Sequence, residues 1–314
     1  LYASGDSVTR ARLRPAVAHA LRLNPQRGDP LIHHFIMLED VFKDAAAYDI
    51  IHFHVDFVQN PLFKHLADKC LTTLHGRLDL PDFAPGFDAF PEMRLVSISD
   101  DQRRPVPNAN FAGTVHHGLP ETLIPFNPAG GDYLAFLGRM SPEKRPDRAI
   151  EIATRSGCKL KMAAKVDHAD RDYFDKQIAP LIDHPLVEFI GEIGDADKAA
   201  FLGNARALIF PIDWPEPFGL VMIEAMAAGT PTIAWPTGST PEVIDHGRSG
   251  YLVESIDQAL DAVEAASDLP RRTVRDCFEQ RFTARRMAQD YLRLIDGSTI
   301  GGRSQFPQPI KLAG

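Results

Sequence analysis

Two glutamates, Glu216 and Glu224, lie eight residues apart in the segment PIDWPEPFGLVMIEAMAAGTP (211–231). A helix rich in Ala and Met is predicted from about Pro217 to Gly229, because Pro is tolerated in a first helical turn and Gly commonly ends a helix. The first amides of a helix have no internal partner, and with the helix dipole they bind anions. A carboxylate one to two turns further along can accept two hydrogen bonds from a vicinal diol such as a ribose. The segment therefore predicts a site for an anionic ligand that carries a diol, although most exposed glutamates are only solvated surface charges.

Two cations and three histidines are further candidates for a site. Arg139 and Lys144 lie close to a predicted helix start, where exposed charges are common. His52 and His54 share one face of a predicted strand, because side chains alternate along a strand. Their spacing could suit a metal ion, but no third ligand is evident. His75 follows another strand and is equally well explained as a half-buried structural histidine or as a site residue.

Three further acidic residues have both a structural and a functional explanation. Asp195-Ala-Asp197 has the D-x-D form of a short metal-binding motif, but it opens the helical stretch DADKAAFLGNA. Asp is favoured at helix caps and in first turns, so we interpret both aspartates as helix-start residues. Glu242 is either an acid at the start of a helix, which is a structural role, or a residue that contacts site residues without contacting the ligand. We favour the structural interpretation.

Composition limits the class of protein and its partners. The 314 residues suit two domains, and 44% hydrophobic with 24% charged residues is typical of a globular protein. A net charge of -8 argues against a nucleic acid partner, and no apolar run approaches the roughly 20 residues of a membrane span. The three cysteines, Cys70, Cys158 and Cys277, form no metal-binding set and suit a reducing compartment. The opening LYASGDS is typical of a strand that runs into a loop, so we expect an N-terminal piece to be missing.

Strands and helices alternate along the chain, which favours α/β domains with mostly parallel sheets. A Pro- and Gly-rich linker is predicted at 119–131, and ligands in such folds bind at the carboxyl ends of the strands. The predicted strands are 49–55, 69–76, 93–99, 111–118, 132–138, 160–165, 187–192, 205–211 and 230–235, with a short one after Gly250. The predicted helices are 61–68, 146–156, 170–183, 195–203, 217–228, 256–266 and 283–296, and 77–92 is predicted as a functional loop.

Several segments resemble one family. EPFGLVMIEAMAAGTP (216–231) is similar to the Glu-x7-Glu signature of the family 4 (group 1) retaining glycosyltransferases, which have the GT-B fold. FLGRMSPEKRPDRAI (136–150) and GSTPEVIDHGRSGYLV (238–253) resemble further segments of that family, in the same order. DIIHFH and VHHGLP match landmarks of its N-terminal half. The resemblance covers about residues 45–297 and is specific because several motifs occur in order.

The resemblance implies a GT-B architecture, in which two Rossmann-like parallel-sheet domains face each other across a cleft. We expect an incomplete N-terminal, acceptor-side domain at 1–125 and a C-terminal, nucleotide-sugar-binding domain at 126–285. The remainder, 286–314, is predicted as a helix that returns to the N-terminal domain, followed by a tail.

Residue roles follow from the same resemblance, position by position. Glu216 matches the residue that contacts the donor sugar and stabilises an oxocarbenium-like transition state, and Glu224 matches the residue that holds the nucleotide ribose. His75 matches a histidine placed beside the donor sugar and is the second catalytic candidate. The remaining donor-binding candidates are Arg139 and Lys144 for the diphosphate, Phe218, Gly219 and Leu220 for sugar and phosphates, and Gly191 and Ile193 beneath the base. His52 and His54 are assigned to the acceptor side.

The implied activity is a retaining, metal-independent transfer of a hexose from a UDP-, GDP- or ADP-sugar to a glycan, lipid or small-molecule acceptor, without a cofactor. A nucleotide-sugar epimerase of the same architecture and a non-catalytic donor-binding protein are the alternatives, whereas a phosphorylase would need a pyridoxal-binding lysine segment that we do not find. We expect a cytoplasmic enzyme of polysaccharide biosynthesis, with peripheral contact to the inner face of the membrane as a further option.

Overall fold

The computed structural model describes residues 1–23 and 29–299, which divide into two compact units. The first unit comprises Leu1–Ser97 and Pro105–Gly113, and the second comprises Ile98–Arg104 and the chain from Thr114 onward. Among the described residues, no helix has both the length and the apolar character needed to cross a bilayer. Each unit is an α/β structure, as the alternation of strands and helices predicts.

The first unit contains two separate sheets and two small apolar clusters. The strands are β1 Tyr2–Ser4, β2 Arg14–Val17, β3 Ile51–Phe53, β4 Cys70–Thr73, β5 Leu95–Ser97 and β6 Phe111–Thr114; the helices are α1 Pro30–Asp44, α2 Asn60–Phe63 and α3 Phe83–Asp88, with 3-10 turns at Leu21–Leu23, Ala45–Ala47 and Lys64–Lys69. β1 and β2 form a parallel pair, while the larger sheet has the strand order β3-β4-β5-β6, with parallel pairing of β3 to β4 and of β4 to β5. Leu38 and Val41 of α1 pack with Phe53 and Phe63 in one of the two clusters.

The second unit is built on a parallel six-stranded sheet with the order β12-β11-β10-β7-β8-β9 in its described part. Its strands are β7 Tyr133–Arg139, β8 Lys159–Lys165, β9 Val187–Gly191, β10 Ala205–Phe210, β11 Thr232–Ala234 and β12 Gly250–Leu252. Its helices are α4 Pro146–Ser156, α5 Arg171–Tyr173, α6 Ala179–Ile182, α7 Asp195–Gly203, α8 Leu220–Ala228, α9 Thr240–Val243, α10 Ile256–Ala265, α11 Arg271–Arg281 and α12 Ala284–Thr299, with 3-10 turns at Pro142–Lys144 and His168–Asp170 and a π segment at Phe174–Ile178.

Alternation along the strands gives this sheet an apolar core on each face. Tyr133 and Ala135 of β7 belong to the core that includes residues of α7, α8 and α11, whereas Leu134 and Phe136 belong to the core that includes residues of α4 and α10. Strands that are buried on both faces are expected to be apolar throughout, as the central strand β10 (ARALIF) nearly is.

The predicted elements of the second unit are largely confirmed, with two exceptions near the site. Helix α8 begins at Leu220 and not near Pro217, because Gly219 adopts a left-handed conformation (φ +76°) as its N-cap. Helix α11 was not predicted, since its sequence RRTVRDCFEQR is dominated by charge. Its buried Val274, Cys277 and Phe278 nevertheless have the i, i+3, i+4 spacing of a helix face, which is the signal that could have revealed it.

The first unit departs from the predictions in elements that lack a strong pattern. The strand predicted in the opening LYASGDS is confirmed as β1, whereas strand β2 and helix α1 were not predicted, and the segment 77–92, predicted as a loop, contains helix α3. Helix α1 has an Asp29 cap whose carboxylate accepts the amide of Leu31 at 2.9 Å. That cap is a sequence signal for a helix start.

The division between the units differs from the predicted boundary at residue 125. The chain belongs to the second unit from Thr114 onward, because the linker pairs with it: Leu119 N donates to Phe282 O at 2.9 Å, and Ala284 N donates to Leu119 O at 2.8 Å. The predicted linker is therefore an integral part of the second unit and not a spacer.

The predicted division at residue 285 is not a boundary between the two units. Helix α12 belongs to the second unit, where Arg286 donates to the carbonyls of His116 and His117 at 2.7 and 2.8 Å. That this helix returns to the first unit stays a prediction, and the predicted tail lies outside the described residues.

Helix α11 is attached to the sheet by a half-buried guanidinium. Arg271 donates to the carbonyls of Asn127 at 2.7 Å and of Gly203 and Ala205 at 2.9 Å each. Burial lowers the pKa of Arg271 from its ordinary value. One side chain thus satisfies main-chain acceptors of the linker, of the end of α7 and of the start of β10. These hydrogen bonds anchor the start of α11.

We predict that Arg271→Met destabilises the protein by about 3 kcal/mol, because several carbonyls lose a charged donor while the apolar stem is retained. The measurement is urea unfolding. Arg272→Met on the same helix is the control, since the Arg272 side chain is 57% exposed and its ion pairs are at the surface. Equal shifts of the two unfolding midpoints would contradict this role for Arg271.

Candidate functional site

A lysine and a glutamate form an ion pair at the carboxyl end of the six-stranded sheet of the second unit. Glu216 Oε2 accepts hydrogen bonds from Lys144 Nζ and, at 3.1 Å, from Trp214 Nε1. The side chains of Lys144 and Glu216 are each only 14% exposed. The ammonium also lies 5.1 Å from the ring centroid of Trp214 and 5.7 Å from that of Phe210. The two predicted residues are therefore in direct contact in a largely dry, partly aromatic setting.

Backbone contacts fix the loop that carries Glu216. Glu216 N donates to Trp214 O at 2.8 Å, and Ser239 N donates to Glu216 O at 3.0 Å. Gly238 has φ +63°, and a Cβ there would lie 2.3 Å from Glu216 N, so no other residue fits without moving the loop. Ser239, which follows Gly238, has a buried hydroxyl that donates to Phe218 O at 2.8 Å. This contact also holds the loop that carries Glu216.

The start of helix α8 supplies amides beside this pair. Because the helix begins at Leu220, the amides at its N-terminus are those of Leu220 and Val221, while Met222 N donates back to Gly219 O at 3.0 Å. This corrects the expectation that Phe218 belongs to the helix start. The Phe218 ring is 2% exposed and packs in the core.

A cavity of about 180 Å³ opens at this helix start. Gly138 is part of its wall, and a Cβ built there would meet no atom within 4 Å, so the main chain is open to close approach by a ligand. The lining residues are Phe136, Leu137, Gly138, Lys144, Phe210, Ile212, Glu216, Gly219, Leu220 and Val221. Of the predicted site residues in this unit, the cavity thus brings together Lys144, Glu216, Gly219 and Leu220, whereas Arg139, Phe218, Glu224, Gly191 and Ile193 are not among its described lining residues.

Glu224 has a lysine partner of its own. Lys198 Nζ of α7 donates to Glu224 Oε1 at 3.2 Å and lies 3.0 Å from Asp195 Oδ1, and the Glu224 side chain is 12% exposed. Burial alone would lower the pKa of Lys198, but the hydrogen bond to Asp195 and the charge of Glu224 raise it. Asp195 and Asp197 lie in the first turn of α7, as predicted, after the N-cap Gly194.

Arg139 and Lys144, both predicted to bind the diphosphate, contact different glutamates in this structure. Arg139 is the last residue of β7; its side chain is 48% exposed and donates to Glu143 Oε1 at 2.9 Å. Gly191 ends β9 with φ +76°, and Ile193 packs partly buried against the core. Arg139 and Gly191 end strands of the same parallel sheet and Ile193 follows one, so all three lie at its carboxyl edge.

The three predicted histidines lie together in the first unit, at the ends of β3 and β4. His54 Nδ1 and His75 Nε2 are 2.8 Å apart, and His52 Nε2 lies 2.8 Å from Thr73 Oγ1. Burial lowers the pKa of both His52 and His54 to about 4, and the charge of neighbouring histidines adds to the effect. Burial also lowers the pKa of His75, against the opposing charge of Asp56. The cluster is therefore uncharged at neutral pH. No metal-binding group of three or more His, Cys, Asp or Glu occurs in the described residues.

Glu242 has a structural role, in agreement with the favoured interpretation. Its carboxylate accepts the amides of Asp100 and Asp101 at 2.8 Å each and lies 3.0 Å from His116 Nε2. Burial opposes ionisation, but the His116 hydrogen bond and the two amides hold the pKa of Glu242 below its ordinary value.

Sequence reasoning missed two residues that contact the predicted ones, Trp214 and Lys198, and also the cavity residue Gly138. Trp214 precedes Glu216 by two residues inside the recognised motif, so the motif itself was the available signal. Lys198 was not predicted because its contact with Glu224 joins residues that are 26 positions apart.

Comparison with known proteins now relates this site to a family. Residues 125–277, which include both glutamates and Lys144, match the family described as "Glycosyl transferases group 1". The segment that carries the site is therefore similar to the group 1 glycosyl transferases. The chain is 28% identical over 272 residues to a D-inositol 3-phosphate glycosyltransferase of Streptomyces scabiei, a match that covers 78% of this chain and 57% of that protein. It is 36% identical over 138 residues to a phosphatidyl-myo-inositol mannosyltransferase of Mycobacterium leprae, covering 44% and 35% respectively.

A solved structure supports the fold. Anabaena Alr3699/HepE, in complex with UDP and glucose, is similar with a TM-score of 0.68 at 17% identity, and the match covers 91% of this chain and 86% of that one. The predicted GT-B class is therefore confirmed at the level of fold. The chain spans little more than half, or only a third, of the length of the two curated relatives.

We predict that the protein loses stability as the pH falls from about 6.5 to about 4 through the histidine cluster. His52 and His54 have folded-state pKa values near 4, below their ordinary 6.5, so the unfolded chain binds more protons in this interval. The stability that His52 and His54 contribute in their neutral form is complete above about pH 6.5 and is lost as the pH falls towards 4. Urea unfolding across this pH range measures it.

The double variant His52→Asn/His54→Asn tests the assignment, because it removes the two histidines of the cluster whose pKa is lowered to about 4. Its unfolding midpoint should depend less on pH in this interval than that of the wild type. Identical pH profiles of the two proteins would show that other groups cause the acid destabilisation.

Proposed function

We propose that this protein is a retaining glycosyltransferase that transfers a hexose from a nucleotide-diphosphate sugar to an acceptor hydroxyl. The observation that carries the proposal is the Lys144–Glu216 pair, which lines a cavity at the N-terminus of α8. A cation, helix amides and a carboxylate in one cavity are the groups that a diphosphate linked to a sugar requires.

Lys144 and the amides of Leu220 and Val221 suit the diphosphate. The leaving nucleoside diphosphate gains negative charge as the glycosidic bond breaks, and fixed donors directed at that charge lower the barrier by several kcal/mol. The open main chain at Gly138 allows the ligand to approach closely. Arg139 follows the same strand and would add a second cation once it leaves Glu143.

Glu216 suits the sugar. When the diphosphate attracts Lys144, the Glu216 carboxylate becomes available to accept sugar hydroxyls and to stabilise positive charge at the anomeric carbon. The acceptor oxygen attacks from the side of the departing phosphate, which takes its proton, so the anomeric configuration is retained. His75 is proposed beside the donor sugar, and His52 and His54 on the acceptor side.

Glu224 suits the ribose, because its carboxylate is fixed by Lys198 and can accept both hydroxyls of a diol. Gly191 and Ile193 suit the base through main-chain groups. The HepE structure in complex with UDP and glucose supports a nucleotide-sugar donor of the UDP type, with GDP and ADP sugars as alternatives. The names of the inositol-phosphate and phosphatidyl-inositol relatives support a small-molecule or lipid acceptor.

Catalysis without a metal ion is part of the proposal. Lys144 and the amides of α8 can supply the positive charge that a metal supplies elsewhere. Asp195 is engaged by Lys198, which favours a structural role for the D-x-D segment. The proposed location is the cytoplasm, with the inner face of the membrane as the place where a lipid acceptor would be met.

We predict that Glu216→Ala lowers kcat about 100-fold or more with little change in donor KM, because it removes charge stabilisation that acts in the transition state. Glu224→Ala should mainly raise the donor KM, since it removes a ribose contact that forms on binding. Initial rates with radiolabelled UDP-, GDP- and ADP-hexoses measure both effects.

Glu264→Ala on the exposed surface of α10 is the control and should retain wild-type kinetics. Thermal melting of each variant establishes that it is folded. Native turnover by both site variants would refute the assignment. Conversion of the nucleotide sugar into its epimer without any acceptor would identify an epimerase instead.

We also predict that the activity survives EDTA. Dialysis against the chelator should leave kcat within a factor of about two, because no step depends on a metal ion. The measurement is transfer rate before and after dialysis, with added Mg²⁺ or Mn²⁺ as the comparison. A complete loss that Mn²⁺ reverses would contradict metal-independent transfer.

A further inference from the structure

Trp214 contacts both members of the central ion pair. Its indole Nε1 donates to Glu216 Oε2 at 3.1 Å, and Lys144 Nζ lies 5.1 Å from the centroid of its ring. The side chain is partly buried and packs against the core of the second unit. One aromatic residue therefore offers an N–H to the carboxylate and a π face to the ammonium.

The main chain around Trp214 is held on both sides. Glu216 N donates to Trp214 O at 2.8 Å, which closes a tight turn between the two residues. On the other side, Asp213 N donates to Glu143 O at 2.9 Å, and the Asp213 carboxylate pairs with Arg145 Nη1 at 2.9 Å. The indole is thus presented to Glu216 from an anchored segment and not from a free loop.

We propose that Trp214 is a positioning residue that holds the Glu216 carboxylate in place when a diphosphate attracts Lys144 away from it. This inference rests on the proposed function. An ammonium cannot fully serve a diphosphate and a carboxylate at the same time, so donor binding weakens one of the two hydrogen bonds to Oε2. The indole N–H bond carries no charge and does not compete with the phosphate, so it persists through the exchange.

The physical consequence is a carboxylate that keeps its orientation and its full negative charge. A neutral donor fixes Oε2 without neutralising the anion, whereas a second cation would reduce its ability to stabilise positive charge on the sugar. Without the indole, Glu216 would be held by Lys144 alone and would become free to rotate once the donor binds. The loss should therefore appear in kcat and not in donor affinity.

Trp214→Phe tests this role, because it removes the N–H while it keeps an aromatic ring for packing and for Lys144. We expect kcat to fall about tenfold, the loss of one hydrogen bond to a charged group, with donor KM unchanged. Trp235→Phe is the matched control: the chain has two tryptophans, and the Trp235 ring contacts Arg148 at 5.1 Å instead of the ion pair. This control should keep wild-type kcat.

A double-mutant cycle separates positioning from packing. If Trp214 acts through Glu216, adding Trp214→Phe to Glu216→Ala should cause no further loss of kcat. An equal loss in both backgrounds would overturn the proposal, as would a Trp214→Phe variant with wild-type kcat. If the wild-type protein itself transfers no sugar from UDP-, GDP- or ADP-hexose, the proposed function fails and this role for Trp214 falls with it. If the wild type is active and Trp214→Phe has the same kcat, the role of Trp214 is overturned while the proposed function stands.

Discussion

The ion pair between Lys144 and Glu216 is the constraint on which the rest of the site depends. Both side chains are 14% exposed, and a charge so far removed from water is costly unless an opposite charge and hydrogen bonds compensate it. The pair joins a 3-10 turn after β7 to the loop between β10 and α8. That loop keeps its path because Gly238 and Gly219 adopt left-handed conformations that other residues rarely adopt. Gly219 sets the start of α8, so the ion pair and the helix start line the same cavity.

Each of the two glutamates of the motif is held by an ion pair with a lysine. Glu216 is paired with Lys144 and Glu224 with Lys198, and each lysine comes from a different element of the second unit. Both carboxylates therefore have a satisfied partner before any ligand binds. In the proposed reaction the ligand exchanges partners at Glu216: the diphosphate competes for Lys144, and the sugar hydroxyls take its place on the carboxylate. Glu224 keeps its contact with Lys198 while it accepts the ribose hydroxyls. Such an exchange costs less than burying new unpaired charges would.

The sequence allowed the centre of the site to be predicted but not its contacts. Glu216, Lys144, Gly219 and Leu220 were predicted from a motif and line one cavity, because their positions are fixed by a local strand–loop–helix pattern. Helices α4 and α7 were predicted with their bounds for the same reason, since their apolar spacing and caps are local. The start of α8 was placed three residues too early because a Pro in a first turn is a weaker signal than a left-handed Gly, which cannot be recognised from composition. The contact of Arg139 with Glu143 was not predicted and Lys198 was missed, because such ion pairs depend on how the side chains are arranged in the folded chain.

A calorimetric titration of nucleoside diphosphates tests the central claim, that Lys144 serves a diphosphate, most directly. Wild-type protein and Lys144→Met would each be titrated with UDP, GDP and ADP and with the three matching nucleosides, and Lys176→Met, whose side chain is 73% exposed, serves as the control. The account predicts that Lys144→Met binds its preferred nucleoside diphosphate at least about tenfold more weakly, the loss of one charge-assisted contact, while the affinity for the matching nucleoside is unchanged. Equal affinity of wild type and Lys144→Met for the nucleoside diphosphate would contradict it.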